Sequence, residues 1–155
     1  MELSKDKQAE RVSILLIEDE QADTRLVKEA VRELGVEAKV TVVESGYAAM
    51  DYLRHQSPYE GAQKPDLVVL DLNLPGLRGE AILRLIRSDE KLKEIPVVVL
   101  TTASSKTIAD ECMKYADDFI VKAMNWPDFL HRFGLVMQNL SDPDSDRWYK
   151  RDRKA

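Results

Sequence analysis

Short apolar runs alternate with stretches of helical periodicity along most of the chain. The runs lie at residues 12–17, 38–43, 66–70, 95–100 and 118–121. Those at 66–70 and 95–100 show no polar alternation, which is typical of parallel strands covered on both faces. Five strands that alternate with helices predict βα units with right-handed crossovers, and hence a doubly wound parallel α/β sheet.

Helical patterns fill the intervals between these strands. Asp23 lies in the expected N-cap region of the first helix, Gly35 is its expected stop, and Ser45 is placed to cap the second. The fifth helix is expected to begin near Asn125, with Pro127 in its first turn. The apolar positions expected to face the core are Ala22, Leu26, Ala30 and Leu34, then Ala48, Ala49, Tyr52 and Leu53, then Ile82, Leu85 and Ile86, then Ile108, Cys112 and Tyr115, and finally Phe129, Phe133, Val136 and Leu140.

Length and charge narrow the class of protein. The 155 residues suit one domain, which we expect at 12–140, between a polar lead at 1–11 and a C-terminal extension at 141–155. A net charge of −5 without a basic stripe in the body argues against nucleic-acid binding. The polar start and the lack of an apolar run near the roughly 20 residues of a membrane helix predict no membrane anchor. The single Cys112 excludes an internal disulfide and predicts a reducing, cytoplasmic location.

Charged and polar side chains follow four of the predicted strands. The first strand ends in Glu18 and Asp19, the third in Asp71, the fourth in Thr101 and the fifth in Lys122. The carboxyl ends of parallel strands share one edge of the sheet, so we expect these groups to meet there. Three crowded carboxylates repel one another unless a cation sits among them, and all-oxygen ligation suits Mg²⁺. Asp71 could then act as a nucleophile toward phosphorus, with Lys122 and Thr101 facing the phosphoryl oxygens.

These stretches resemble the receiver domain of two-component response regulators over about residues 12–140. The resemblance is carried by LLIEDE, LDLNLPG, VVVLTTAS and DDFIVKA, in the family's order. It implies a flavodoxin-like fold with strand order 2-1-3-4-5. It also implies that Asp71 accepts a phosphoryl group from a partner histidine kinase, with slow autodephosphorylation as the only turnover, so that the protein is a switch and not an enzyme.

The resemblance also implies roles for the surrounding residues. Glu18, Asp19 and Asp71 would hold Mg²⁺ together with the backbone carbonyl of Asn73. Thr101 and Phe119 would form the coupled switch that reports phosphorylation. The chain departs from the family where Lys122 is followed by Ala123 instead of proline, and a cis bond to alanine costs about 2.5–4 kcal/mol, so we expect a trans peptide there. Tyr115 and Arg78 are further departures, at positions where glycine and an acidic or amide residue are common.

No output domain is expected after Leu140, so the regulator would act through altered protein contacts. The long loop at 55–65 and the extension resemble single-domain regulators that partner bacterial phytochrome kinases. Trp148 and Tyr149 lie among basic residues of the extension and are candidates for an arm that makes a homodimer. A disordered, solubilising tail is the alternative.

Two other classes of function compete with the switch. Phosphatases that use a strand-end aspartate carry a general acid two residues later, where this chain has Asn73, and an amide cannot shuttle a proton in that way. A nucleotide-binding fold of flavodoxin type would need a glycine-rich phosphate loop after the first strand, where Glu18, Asp19 and Glu20 lie instead. The sequence therefore favours the phosphorylatable switch.

Overall fold

A single parallel sheet forms the centre of the protein. The computed structural model describes residues 11–102, 110–122 and 125–141. Its strands are β1 (Val12–Ile17), β2 (Ala38–Val43), β3 (Leu67–Asp71), β4 (Val97–Thr101) and β5 (Asp118–Val121). They pair in parallel in the order β2-β1-β3-β4-β5. The predicted doubly wound sheet and its strand order are confirmed.

Four helices are bounded within the described residues. They are α1 (Gln21–Glu33), α2 (Gly46–Leu53), α3 (Gly79–Ser88) and α4 (Trp126–Ser141). Of the predicted fourth helix, Ile108 lies outside the described residues, Cys112 is in the helical residues 110–112, and Tyr115 lies in the turn that follows. No helix in the described ranges is long and apolar enough to cross a membrane.

The helix ends follow the capping chemistry of the sequence, with one correction. The Ser45 hydroxyl accepts a hydrogen bond from the Ala48 amide at 3.1 Å, and Gly35 closes α1 with φ of 69°. The sequence placed the N-cap region at Asp23, but the N-cap residue is Glu20, and Asp23 is the third residue of the helix, within its first turn. A carboxylate anywhere in the first turn interacts favourably with the helix dipole. The sequence pattern therefore does not distinguish an aspartate at the N-cap from one inside the first turn.

The sheet buries both of its faces. Leu15 and Ile17 point into a core cluster shared with α2 and α3, whereas Ile14 and Leu16 point into a second cluster shared with α1 and α4. All five residues of β3 and of β4 are buried, as their unbroken apolar runs predict. Each buried Leu, Ile or Val is worth about 1.5–3 kcal/mol, so the two clusters provide the main stabilisation of the fold.

The predicted helix stripes are shifted at some positions. Ala22 is exposed, and α1 instead buries Val27, Ala30 and Val31. In α3 Leu83 is buried whereas Leu85 is half-buried, and in α4 Met137 is buried whereas Leu140 is half-buried.

Cys112 is buried as expected. Burial, reinforced by the charges of Glu80 and Glu111, raises the pKa of its thiol to about 11. It therefore packs as a small apolar residue.

A buried ion pair closes the edge of the sheet where β4 and β5 begin. Arg87 Nη2 lies 2.9 Å from Asp117 Oδ2, and the two side chains are 10% and 2% exposed. The same carboxylate oxygen accepts a hydrogen bond from the Val97 amide at 2.8 Å. The guanidinium also donates hydrogen bonds to the carbonyl oxygens of Tyr115, Lys93 and Ile95. One side chain of α3 thus fixes the starts of two strands.

Candidate functional site

The predicted site residues meet at the carboxyl edge of the sheet. Glu18 and Asp19 follow β1 directly, and Asp71 is the last residue of β3. Ligand oxygens of these three carboxylates all lie within 4.8 Å of one another. Thr101 ends β4, and its carbonyl oxygen accepts a hydrogen bond from the Lys122 amide at 2.7 Å. The strand ends therefore bring together the acidic, hydroxyl and ammonium groups that the sequence predicts.

The Lys122 ammonium is surrounded by carboxylates. Its Nζ lies 2.7 Å from Asp23 Oδ2, 2.9 Å from Glu18 Oε1 and 3.3 Å from Asp71 Oδ2. The Lys122 side chain is 7% exposed and that of Glu18 is fully buried, whereas that of Asp23 is 27% exposed. Burial alone would lower the pKa of Lys122, but its hydrogen bonds to Asp23 and Glu18 and the charges of Asp71 and Glu18 outweigh that effect and raise it above its ordinary value. The ammonium thus stays charged across the physiological range.

Glu18 is the most strongly perturbed acid of the site. Its Oε2 accepts hydrogen bonds from the backbone amides of Asp19 at 3.1 Å and Glu20 at 3.2 Å. Burial raises the pKa of Glu18 to about 7, a hydrogen bond shared with Asp71 and the charge of Asp71 add to the rise, and Lys122 opposes it. Near neutral pH Glu18 is therefore partly protonated in the absence of another cation.

The turn after β3 holds the Asp71 carboxylate in place. The Asn73 backbone amide donates to Asp71 Oδ1 at 3.0 Å, and the Asn73 side-chain amide donates to Thr102 Oγ1 at 3.3 Å.

Two glycines shape the chain between this turn and α3. Gly76 has φ of 73°, a conformation that L side chains rarely adopt. A Cβ on Gly79 would lie 2.5 Å from Leu72 Cα and 2.8 Å from the Asp71 carbonyl oxygen. The chain thus needs a glycine at the start of α3 in order to pack directly behind Asp71.

The residues present fit a hard divalent cation. Their donor set is all oxygen, which is the set that Mg²⁺ prefers. Asp19 Oδ1 is buried and has no hydrogen-bond partner among the described residues. A buried polar atom without a hydrogen-bond partner is energetically costly unless a water or an ion satisfies it. Glu18, Asp19 and Asp71 therefore supply the negative charge, and Asp19 the unsatisfied oxygen, that suit a bound metal ion.

Some predicted residues lie elsewhere or outside the described residues. Phe119 is half-buried against the core cluster of α2 and α3, and its carbonyl oxygen accepts a hydrogen bond from Arg132 Nη2 at 2.8 Å. The peptide between Lys122 and Ala123 and the side chains of Trp148 and Tyr149 lie outside the described residues.

Asp23 is the site residue that sequence reasoning missed. Its position five residues after Glu18, in a helix that starts at a strand end, was the available signal, but a favourable first-turn charge explained it equally well.

Comparison with known families decides the identity. Residues 14–133 match the profile of the response regulator receiver domain. The chain belongs to this family. Response regulator Rcp1 of Synechocystis sp. is 43% identical to this chain over 93 residues, which are 60% of this chain and 63% of that protein. The match thus spans slightly less than two thirds of that relative's length.

Solved structures of relatives support the same conclusion. The phosphorylated cyanobacterial phytochrome response regulator RcpA has a TM-score of 0.78 at 34% identity, covering 87% of this chain and 97% of that one. The Mn²⁺-bound form of response regulator Rcp1 has a TM-score of 0.73 at 33% identity, covering 83% and 92%. The predicted receiver family and its phytochrome-linked relatives are confirmed. Receiver domains are signalling switches and not classical enzymes.

Proposed function

We propose that this receiver domain accepts a phosphoryl group on Asp71 from a partner histidine kinase. The observation that carries the proposal is the placement of the Asp71 carboxylate, which lies 3.3 Å from the Lys122 ammonium and beside Glu18 and Asp19. Asp71 is 2% exposed at the end of its strand, so a donor must present phosphorus at the edge of the sheet.

The transfer would balance as a displacement at phosphorus. One Asp71 carboxylate oxygen forms a bond to phosphorus while the P–N bond of a phosphohistidine breaks. The electron pair of the broken bond leaves with the imidazole nitrogen, which takes up a proton. Lys122 would offset the charge of the phosphoryl oxygens, as a fixed cation does in a site shielded from water. Mg²⁺, held by Glu18, Asp19, Asp71 and the carbonyl of Asn73, would neutralise the acidic cluster and screen the incoming oxygens.

The readout would begin at the end of β4. Thr101 is fully buried, and its hydroxyl is a donor that can rotate toward a new acceptor. We assign Thr101 and Phe119 as the coupled switch, because Phe119 pairs with Val99 on the neighbouring strand and is only half-buried. A shift of its ring would alter the surface around β5, and signalling would proceed through changed protein contacts.

We take the partner kinase to be a bacteriophytochrome, since the relatives named above include phytochrome response regulators. A homodimer made through Trp148 and Tyr149 remains part of the proposal, together with a cytoplasmic location in keeping with the single cysteine. The hydrolase alternative is disfavoured because the position of the general acid is held by Asn73, whose side-chain amide donates to Thr102.

Intact-protein mass after incubation with acetyl phosphate and Mg²⁺ tests the proposal. We expect one added phosphoryl group in the parent protein, dependent on Mg²⁺ and absent from Asp71→Asn. Asp51→Asn, which makes the same change at an exposed position of α2, is the matched control and should be labelled like the parent. Labelling of Asp71→Asn, or no labelling of the parent while a known receiver domain is labelled beside it, would contradict the proposal.

A further inference from the structure

The nearest partner of Lys122 lies outside the acidic motif. Its Nζ is 2.7 Å from Asp23 Oδ2, closer than to Glu18 at 2.9 Å or Asp71 at 3.3 Å. An ammonium has three N–H donors, and each of these three carboxylates can take one. Asp23 therefore contributes one of three restraints that define where the ammonium sits.

The three carboxylates that hold the Lys122 ammonium differ in whether they would also bind the metal or the phosphoryl group. Among the described residues, the carboxylates close enough to share one ion are Glu18, Asp19 and Asp71, and Asp23 is not among them. A divalent cation would compete with Lys122 for the oxygens of Glu18 and Asp71. Phosphorylation would also occupy an oxygen of Asp71. Of the three carboxylates that contact Lys122 within the described ranges, Asp23 alone would be left free of both the metal and the phosphoryl group.

Asp23 is also held in a rigid place. It lies in the first turn of α1, whose Val27, Ala30 and Val31 are buried against the sheet. Lys122 is 7% exposed and Asp23 27%, so their interaction is partly shielded from water and stronger than an ordinary surface pair. The helix N-terminus favours a carboxylate at this position.

We propose that Asp23 is a positioning residue, which holds the Lys122 ammonium beside Asp71 when metal and phosphoryl group engage the other two carboxylates. This inference rests on the proposed function. With Asp23 in place, Lys122 meets the incoming phosphoryl oxygens without first being recruited to them. Without it, the ammonium moves onto Glu18 and Asp71, where it competes with the metal.

If Asp23 acted only through its negative charge, its removal would change the phosphorylation rate in the opposite direction. A carboxylate near the acceptor repels an anionic phosphodonor, so its removal would speed phosphorylation. Glu20→Gln measures that charge effect, because Glu20 is an exposed carboxylate at the N-cap of the same helix. Asp23→Asn and Glu20→Gln therefore remove the same charge at nearby positions, and only the first removes the contact with Lys122.

The rate of labelling by acetyl phosphate in saturating Mg²⁺ is the first measurement. We expect Asp23→Asn to be about tenfold slower than the parent, the loss expected for one charge-assisted hydrogen bond, while Glu20→Gln is unchanged or slightly faster. Asp23→Glu should recover part of the rate. In a Lys122→Met background, Asp23→Asn should cause no further slowing, because the residue acts through the ammonium.

Calorimetric Mg²⁺ binding is the second measurement and needs no phosphorylation. We expect Asp23→Asn to weaken Mg²⁺ binding several-fold more than Glu20→Gln, and the difference to vanish in the Lys122→Met background. If the parent is labelled but Asp23→Asn is labelled as fast or faster, or if its defects persist without Lys122, the positioning role is wrong. If the parent itself is not labelled, the proposed function fails, and the binding measurement alone decides whether Asp23 holds Lys122.

Discussion

Replacement of Arg87 by methionine should be among the most destabilising single changes in this protein. The guanidinium pairs with Asp117 at 2.9 Å, in a setting where the two side chains are 10% and 2% exposed. Methionine retains much of the apolar length of arginine but none of its donors. The change would leave the Asp117 carboxylate buried without its cation, and removal of one partner from a buried ion pair costs about 3–5 kcal/mol.

The lost backbone contacts act in the same direction. Arg87 donates to the carbonyl oxygens of Lys93 and Ile95 at 3.0 and 2.8 Å and to that of Tyr115. Domains of this size are stable by about 5–15 kcal/mol, so the variant would lose at least about a fifth of its stability. Adding Asp117→Asn to Arg87→Met should restore part of the loss, because it removes the uncompensated charge.

Urea denaturation followed by circular dichroism gives the free energy of unfolding. Arg84→Met is the matched control: Arg84 lies three residues earlier on the same helix, its side chain is 62% exposed, and it is 3.8 Å from Glu111. Exposed pairs contribute about 0–1 kcal/mol, so this variant should remain close to the parent. A loss for Arg87→Met no larger than that for Arg84→Met would refute the reasoning.

Two further predictions concern the site. Gly79→Ala should lower the free energy of unfolding by about 1–3 kcal/mol and slow labelling of Asp71, because the new Cβ would lie 2.5 Å from Leu72 Cα. Gly61→Ala is the control: a Cβ there has nothing within 4 Å, so the same urea titration should show a neutral or slightly stabilising change. Glu18, whose pKa is raised to about 7, holds a proton that Mg²⁺ must displace. Mg²⁺ affinity should therefore rise as pH increases toward 7 and level off above it, with proton release below 7 seen by calorimetry in buffers of different ionisation enthalpy. An affinity independent of pH between about 5.5 and 7 would contradict this assignment.

Features that depend on neighbours in the sequence were predictable. The apolar runs at β3 and β4 predict strands buried on both faces, and both strands are fully buried. The residues that follow the runs predict which groups collect at the edge, because strand polarity alone decides that. Ser45 was predictable as a cap for the same reason, since a hydroxyl three residues before a helical amide needs no information from the rest of the chain.

Features that depend on distant parts of the chain were not predictable from patterns. Lys122 and Asp23 are 99 residues apart, and their contact exists only because β5 ends near the first turn of α1. Leu83 and Leu85 satisfy an apolar stripe about equally well, and only the packing of α3 on the sheet selects Leu83 for full burial. From the sequence, Arg87 is predicted only as a cation in the last turn of a helix, where it interacts favourably with the helix dipole. Its buried ion pair with Asp117 forms only because β4 and β5 begin beside it.

The two edges of the sheet solve the problem of buried charge in opposite ways. At the edge where β4 and β5 begin, one guanidinium meets one carboxylate and also donates to three carbonyl oxygens, so the buried charges are paired. At the other edge, one ammonium faces three carboxylates, and Asp19 adds a fourth, of which Oδ1 has no hydrogen-bond partner in the part of the chain that the structure describes. Such an excess of negative charge weakens the fold, which is the expected cost of the cation-binding, phosphoryl-accepting site proposed above. At its first residue β4 contacts Asp117 through the Val97 amide, and it ends at Thr101, while Lys122 directly follows the end of β5. The pair of Arg87 and Asp117 therefore fixes the starts of the two strands whose far ends carry groups of the acidic site.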